Sequence, residues 1–199
     1  MSTRIADSAD VHTDAIIGDG TTVWHLAQVR EGATLGRNCV VGRGAYVGRG
    51  VCIGDNVKIQ NYALVYEPAV VEDGVFIGPA VVLTNDAYPR AVSPDGAVKS
   101  ASDWEPVGVT VRTGASLGAR SICIAPVTVG RWALVAAGSV VTKNVSDHAL
   151  VVGVPAQRVG WVGRAGIPLE RMEGDRWKCK KTGEQYRQSN EQLSLELRA

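Results

Sequence analysis

Aliphatic side chains recur at every sixth position from Ile17 to Leu83: Ile17, Val23, Val29, Leu35, Val41, Val47, Ile53, Ile59, Val65, Val71, Ile77 and Leu83. Four residues further along each repeat, from Thr21 to Val81, stands a small or β-branched side chain such as Ala27, Ala33, Cys39 or Val57. A fixed short period marks a repeat architecture. Six residues are too few for a helical hairpin, but they suit one short extended rung and a turn, at about 3.3 Å per residue. The pattern predicts an all-β protein, a parallel β-helix with three hexads in each triangular coil. Twelve rungs to Leu83 make four coils. The period returns at Val111, Leu117, Cys123, Val129, Val135 and Val141, adding two more for about six. Residues 1–16 read as a lead-in.

Between the two runs, residues 85–108 carry no hexad register. A long irregular loop inserted into a regular solenoid is commonly functional, and loops on rigid scaffolds are where binding groups concentrate. Its prolines, Tyr88 and Trp104 predict an ordered loop packed on some surface. After Val145 the pattern gives way to Gly153-Val154-Pro155-Ala156, where the chain must leave the solenoid. From about Glu170 the tail reads as a short β-meander around Trp177, Cys179 and Tyr186, with a Thr182-Gly183 turn. An open solenoid end calls for a cap. The expected division is therefore a β-helix over 1–165 and a cap over 166–199.

Composition narrows the classes. The 21 basic and 20 acidic residues balance, and no basic stripe offers a nucleic-acid track. The N-terminal stretch has no apolar core of a signal peptide, and no run approaches the ~20 apolar residues of a membrane span. A cytoplasmic protein with neither nucleic-acid nor membrane partners is expected. The cysteines, Cys39, Cys52, Cys123 and Cys179, form no close pair. Cys39 and Cys123 fall at inward positions, where cysteine serves as a small hydrophobe. A zinc site needs converging ligands, whereas His12, His25 and His148 lie at the start and past the end of the repeats; no metal is expected.

Residues eighteen apart should stack on one wall. One column then reads His25, Arg43, Asn61 and Pro79, and continues through Ala119 and Ala137 if Val111 re-enters on the wall of Ile17. The column passes from polar to small groups and leaves room for an extended ligand. On the next wall Asn85, where the loop departs, stands above Glu67. A prism has flat faces, so a pocket requires the loop, a neighbouring subunit, or both; cyclic trimerisation would make three equivalent clefts.

The repeats resemble the hexapeptide-repeat acyltransferases, and so does Ala136-Ala137-Gly138-Ser139-Val140-Val141 followed by Val152-Gly153-Val154-Pro155-Ala156. The resemblance implies a left-handed β-helix, a homotrimer with sites at subunit interfaces, and acetyl-CoA as acyl donor. More specific segments are Val23-Trp24-His25, Lys58-Ile59-Gln60-Asn61, Val65-Tyr66, Glu72 to Pro79, Leu83-Thr84-Asn85 through Pro89-Arg90, and Gly160-Trp161. These are similar to the nucleotide-sugar amine N-acetyltransferases, acting on UDP-linked 3-amino glucuronates or dTDP-linked 3-amino deoxyhexoses. In that family the asparagine matching Asn85 sits against the sugar amine, where an apolar residue follows it; here Asp86 follows.

The chemistry can be laid out on these positions. An amide oxygen can orient an amine by accepting one N–H but cannot take a proton at neutral pH. Asn85 is therefore the expected orienting group, with Asp86 or His25 as a base. Gln60, Asn61, Tyr66, Glu67, Tyr88 and Arg90 are candidates for the nucleotide sugar, the tyrosines by stacking and Arg90 by bidentate pairing to a diphosphate or carboxylate. Ala119, Ala137, Gly138, Lys143, Val154, Pro155 and Arg158 are candidates for the acyl donor. The alternative is an O-acetyltransferase, but a hydroxyl acceptor wants a strong base such as histidine, and the loop has none.

Overall fold

In the computed structural model, residues 2–196 are described. They form three parallel sheets that wrap into a triangular solenoid, followed by a four-stranded antiparallel sheet. Most solenoid strands are two residues long, such as Thr22–Val23, Val40–Val41, Lys58–Ile59 and Phe76–Ile77, paired in register eighteen residues apart. The second residue of each pair points inward: Val23, Val41, Ile59 and Ile77 are at most 1 % exposed. Small residues such as Ala27, Ala33, Ala45 and Ala63 fill the interior corners. Burial of this aliphatic column, at about 25 cal/mol per Å² of apolar surface, supplies the principal driving force.

The solenoid is longer than the repeat count from Ile17 suggests. The wall of Val23 carries eight parallel strands, beginning at Arg4–Ile5 and ending at Ala149–Val152. Residues 1–16 are thus no lead-in: Ile5 and Val11 continue the six-residue period backwards, and Arg4–Ile5 and Asp10–Val11 pair with the coil above. At the far end the spacing shortens to sixteen, Val129 against Val145 and Val135 against Val151, which hides the last turn from a strict hexad count.

Most corners are turned by a residue in the left-handed region, including Leu26, Asn38, Tyr62, Ala80, Arg120 and Trp132. Side chains from one coil then seal the backbone of the coil before. Asp55 accepts the Arg37 N–H at 2.7 Å, Asn61 that of Arg43 at 2.9 Å, Asp73 that of Asp55 at 2.7 Å and Asp147 that of Arg131 at 2.7 Å. This ladder satisfies corner amides that the short strands leave over.

Residues 85–108 leave between two adjacent coils without disturbing them: Val71 pairs with Val111 and Ile77 with Leu117, as Val111's expected re-entry on the wall of Ile17 requires. The tail is the expected meander, with strands Glu170–Arg171, Arg176–Lys178, Gln185–Ser189 and Gln192–Leu195 in sequential order. Cys179 and Tyr186 are fully buried in it. It docks on the solenoid end through Gln188, whose Oε1 accepts from Trp161 as well as from Trp177 within the meander, and through Tyr186, whose ring meets His148 edge-on at 5.1 Å. Cys39 and Cys123 are interior as expected, and burial pushes the Cys123 thiol up to about 12. No helix among the described residues is long and apolar enough to cross a membrane.

Candidate active site

Asn85 lies two residues beyond the strand Val82–Leu83, at the corner between two walls. The register Val65–Leu83–Cys123–Val141 puts Glu67, Asn85, Ala125 and Lys143 in one vertical column. Below and above Asn85 the corner is turned through cis peptides at Glu67–Pro68 and Ala125–Pro126. At Asn85 the chain instead departs into the loop, and it returns at Gly108. A side chain there would come within 2.6 Å of the Pro68 carbonyl oxygen, so only glycine fits the re-entry. Thr84 Oγ1 accepts the Ala125 N–H at 2.9 Å and ties the corner to the coil above.

Beneath Asn85, Glu67 has one carboxylate oxygen, Oε2, buried without a hydrogen-bond partner. The Tyr46 and Tyr66 rings lie 5.2 Å apart beside it. Burial, and secondarily the Glu67 charge, pushes the Tyr46 hydroxyl above the ordinary phenol range.

The loop is ordered by its own hydrogen bonds. Asp86 Oδ1 accepts the Tyr88 N–H at 2.8 Å, Arg90 donates to the Pro89 carbonyl at 2.8 Å, and Val92 bridges Val98. It does not fold back onto its own solenoid: Tyr88 is 86 % exposed and Val98 83 %. A cleft of about 470 Å³ opens within it, with Asp86, Tyr88, Lys99, Asp103, Trp104 and Glu105 among its lining residues.

The second column also stands as the period requires. His25, Arg43, Asn61, Pro79, Ala119 and Ala137 follow one another at a different corner, joined by backbone bonds such as Gly138 N–H to the Ala119 carbonyl at 2.9 Å. The Asn61 side chain is committed to the Arg43 amide within this column, with Gln60 beside it on the outer surface. His25 Nδ1 lies 2.9 Å from Ser8 Oγ. His25 stands three coils below the level of Asn85, about 14 Å along the axis at ~4.8 Å per strand. The structure does not bring the two together.

Lys143 and Arg158 do come together, in a cleft of about 420 Å³ shared with Val151, Ala156, Gln157 and Glu191. Val154 and Pro155 form the turn that carries Arg158 there, and the Arg158 guanidinium lies 4.3 Å over the Trp161 ring. Gly138 is solvent-exposed at the top of the small-residue column.

The six-repeat pattern of the bacterial transferase hexapeptide matches residues 14–49 and 50–85, and the hexapeptide repeat of succinyl-transferase matches 109–143. The chain belongs to the hexapeptide-repeat acyltransferases. It is 33 % identical over 152 residues to the bifunctional protein GlmU of Brevibacillus brevis, covering 76 % of this chain and 29 % of that protein. It is 48 % identical over 52 residues to the dTDP-3-amino-3,6-dideoxy-alpha-D-galactopyranose 3-N-acetyltransferase of Aneurinibacillus thermoaerophilus, covering 26 % of this chain and 27 % of that one. The chain thus spans about a third or less of these relatives. Among solved structures, the UDP-N-acetylglucosamine acyltransferase LpxA of Bacteroides fragilis superposes with a TM-score of 0.66 at 14 % identity, over 80 % of this chain and 61 % of that one. The Vibrio cholerae acetyltransferase VCA0836, solved with acetyl coenzyme A, gives 0.53 at 22 % identity over 66 % and 72 %. At these identities both likenesses speak for the fold.

For this hexapeptide-repeat acyltransferase, sequence reasoning overlooked several residues around Asn85. Ala125, the small step between Asn85 and Lys143, was recoverable by counting the Asn85 column upward through Cys123. Lys99 and Glu105 had no such signal, because they lie in the loop outside any register.

Proposed function

We propose that the protein is an acetyl-CoA-dependent N-acetyltransferase that acts on the amino group of a nucleotide-linked 3-amino sugar. One observation carries this reading. Asn85 stands where the chain leaves the solenoid for its exposed loop, with the Asp86 carboxylate next to it at the loop cleft. Two acceptors on one edge match an amine, which brings N–H donors; a hydroxyl acceptor brings one donor and needs a base. The partial likeness to a dTDP-3-amino-sugar N-acetyltransferase supports the same acceptor class.

In this reading Asn85 Oδ1 accepts one amine N–H and the Asp86 carboxylate the other, which aims the nitrogen lone pair at the thioester carbonyl. The acyl thioester supplies that electrophilic carbon. The C–N bond forms as the C–S bond breaks, and the proton lost by nitrogen goes through the Asp86 carboxylate to the departing thiolate, whose conjugate acid has a pKa of about 8.5. Correct placement can supply much of the rate. Tyr66, Tyr88 and Arg90 hold the nucleotide portion.

The donor fits residues present at the upper coils. Lys143 and Arg158 share one cleft and offer paired cations to phosphates. Ala119 and Ala137 leave an open strip for an extended chain. That strip lies at a different corner from Asn85, six residues away across one wall, about 20 Å when extended. A second copy of the chain brings the strip against the loop, and a threefold assembly does so three times. A threefold axis parallel to the solenoid keeps each residue at its own level, which leaves His25 outside the reaction.

The experiment is turnover of acetyl-CoA, followed by thiol release, with UDP- and dTDP-linked 3- and 4-amino sugars against the matching hydroxyl sugars. Acetylation of an amino sugar alone is expected. Acetylation of the hydroxyl sugars without the amines overturns the reading in favour of O-acetyl transfer.

A further inference from the structure

We propose that Glu191, on the last turn of the C-terminal meander, sets the affinity for the acyl donor by placing a negative charge opposite the two cations that receive its phosphates. The inference rests on the donor placement above and adds a residue of the meander to that site.

The cleft of Lys143 and Arg158 opens at the end of the solenoid, and among the described residues Glu191 is the one acidic group that lines it. None of the three forms an ion pair with another described residue, so no direct neighbour neutralises their charges. The position of Glu191 is fixed from both sides of the cleft. Trp161 is buried, carries the Arg158 guanidinium 4.3 Å over its ring, and donates its indole N–H to Gln188 Oε1 at 3.0 Å. The Nε2 amide of the same Gln188 donates to the Asn190 carbonyl at 3.0 Å. Asn190 is left-handed, with φ 54°, the Ser189–Gln192 pair closes the turn, and Leu193 is buried just beyond it. One side chain, Gln188, thereby ties the ring under Arg158 to the turn that carries Glu191.

Two cations alone would hold a donor bearing several phosphates tightly, and the free thiol left after transfer keeps every one of those phosphates. A carboxylate across the cleft repels them, and so weakens donor and spent carrier alike and hastens release of the latter. The effect acts on charge only: the pantetheine portion of the donor is neutral and does not feel it. Recognition is set by such a repulsive element as much as by the attractive ones.

The test is calorimetric titration of the full chain with coenzyme A and with pantetheine, in wild type, Glu191→Gln, Lys143→Ala and Arg158→Ala. Glu191→Gln should tighten coenzyme A about two- to fivefold at low salt, the size expected for one charge at a solvated surface, and leave pantetheine unchanged. Raising the salt should shrink that gain, because screening weakens charge repulsion. Lys143→Ala and Arg158→Ala should each weaken coenzyme A. If they do and Glu191→Gln leaves coenzyme A binding as it was, the inference alone is overturned. Weaker binding by Glu191→Gln overturns it too, since the carboxylate would then be accepting a hydrogen bond from the donor. If neither Lys143→Ala nor Arg158→Ala changes coenzyme A binding, the donor placement fails and the inference with it.

Discussion

The Val107 backbone N–H donates to the carbonyl oxygen of Asn85 at 3.1 Å, so the inserted loop leaves and rejoins the solenoid at a single clasp. The bond fixes the backbone from which the Asn85 side chain projects. Val107→Pro removes the donor and alters only a half-buried side chain at the margin of the aliphatic interior. It should lower kcat about tenfold or more, since small misplacements of an orienting group are costly, while the melting temperature moves by no more than a few degrees. Paired kinetics and thermal unfolding check this.

Gly42 shows the steric demand of the inter-coil ladder. A Cβ there would lie 2.6 Å from the Asn61 nitrogen and 2.7 Å from its side-chain oxygen, the atom that caps Arg43. Gly42→Ala should cost about 2 kcal/mol by overpacking and lower the melting temperature by about 4–8 °C.

His148 predicts an acid-sensitive joint between solenoid and meander. It is buried against the Val162 carbonyl at 3.0 Å and the Tyr186 ring, and burial holds its imidazole below the ordinary range. Since the folded value lies below the unfolded one, near 6.5, its full contribution holds above that pH and declines as pH falls through it. Stability measured from pH 8 to pH 5 should fall most steeply below about 6.5, and His148→Gln should flatten that slope.

Ala137 is exposed in the small-residue strip, so a larger side chain there should fold normally. Ala137→Phe is expected to raise KM for acetyl-CoA about tenfold or more, with KM for the amino sugar and the melting temperature little changed. Steady-state kinetics with each substrate varied in turn would show it.

The architecture was legible because one physical rule repeats: an aliphatic residue every six positions, buried in a column, fixes both rung and stack. It also placed Ile5 and Val11, had the count begun earlier. It faltered where the spacing dropped to sixteen at Val145 and Val151, since a shortened coil breaks the period without breaking the sheet. The site was legible only in part. Asn85 and Glu67 fall on the grid and were placed one above the other. Asn61 also falls on the grid, yet its side chain seals the neighbouring coil, a use that spacing cannot distinguish from ligand binding. Lys99, Trp104 and Glu105 take their positions from turns within the loop, such as the Ser100–Asp103 bonds, which follow no repeat.

The most direct test of the central claim, that Asn85 orients an amine for acyl transfer, is kcat for amino-sugar acetylation in wild type and Asn85→Ala. The account predicts a loss of about 100-fold in kcat, with KM for acetyl-CoA and the melting temperature close to wild type. An Asn85→Ala enzyme that acetylates the amino sugar at the wild-type rate would contradict it.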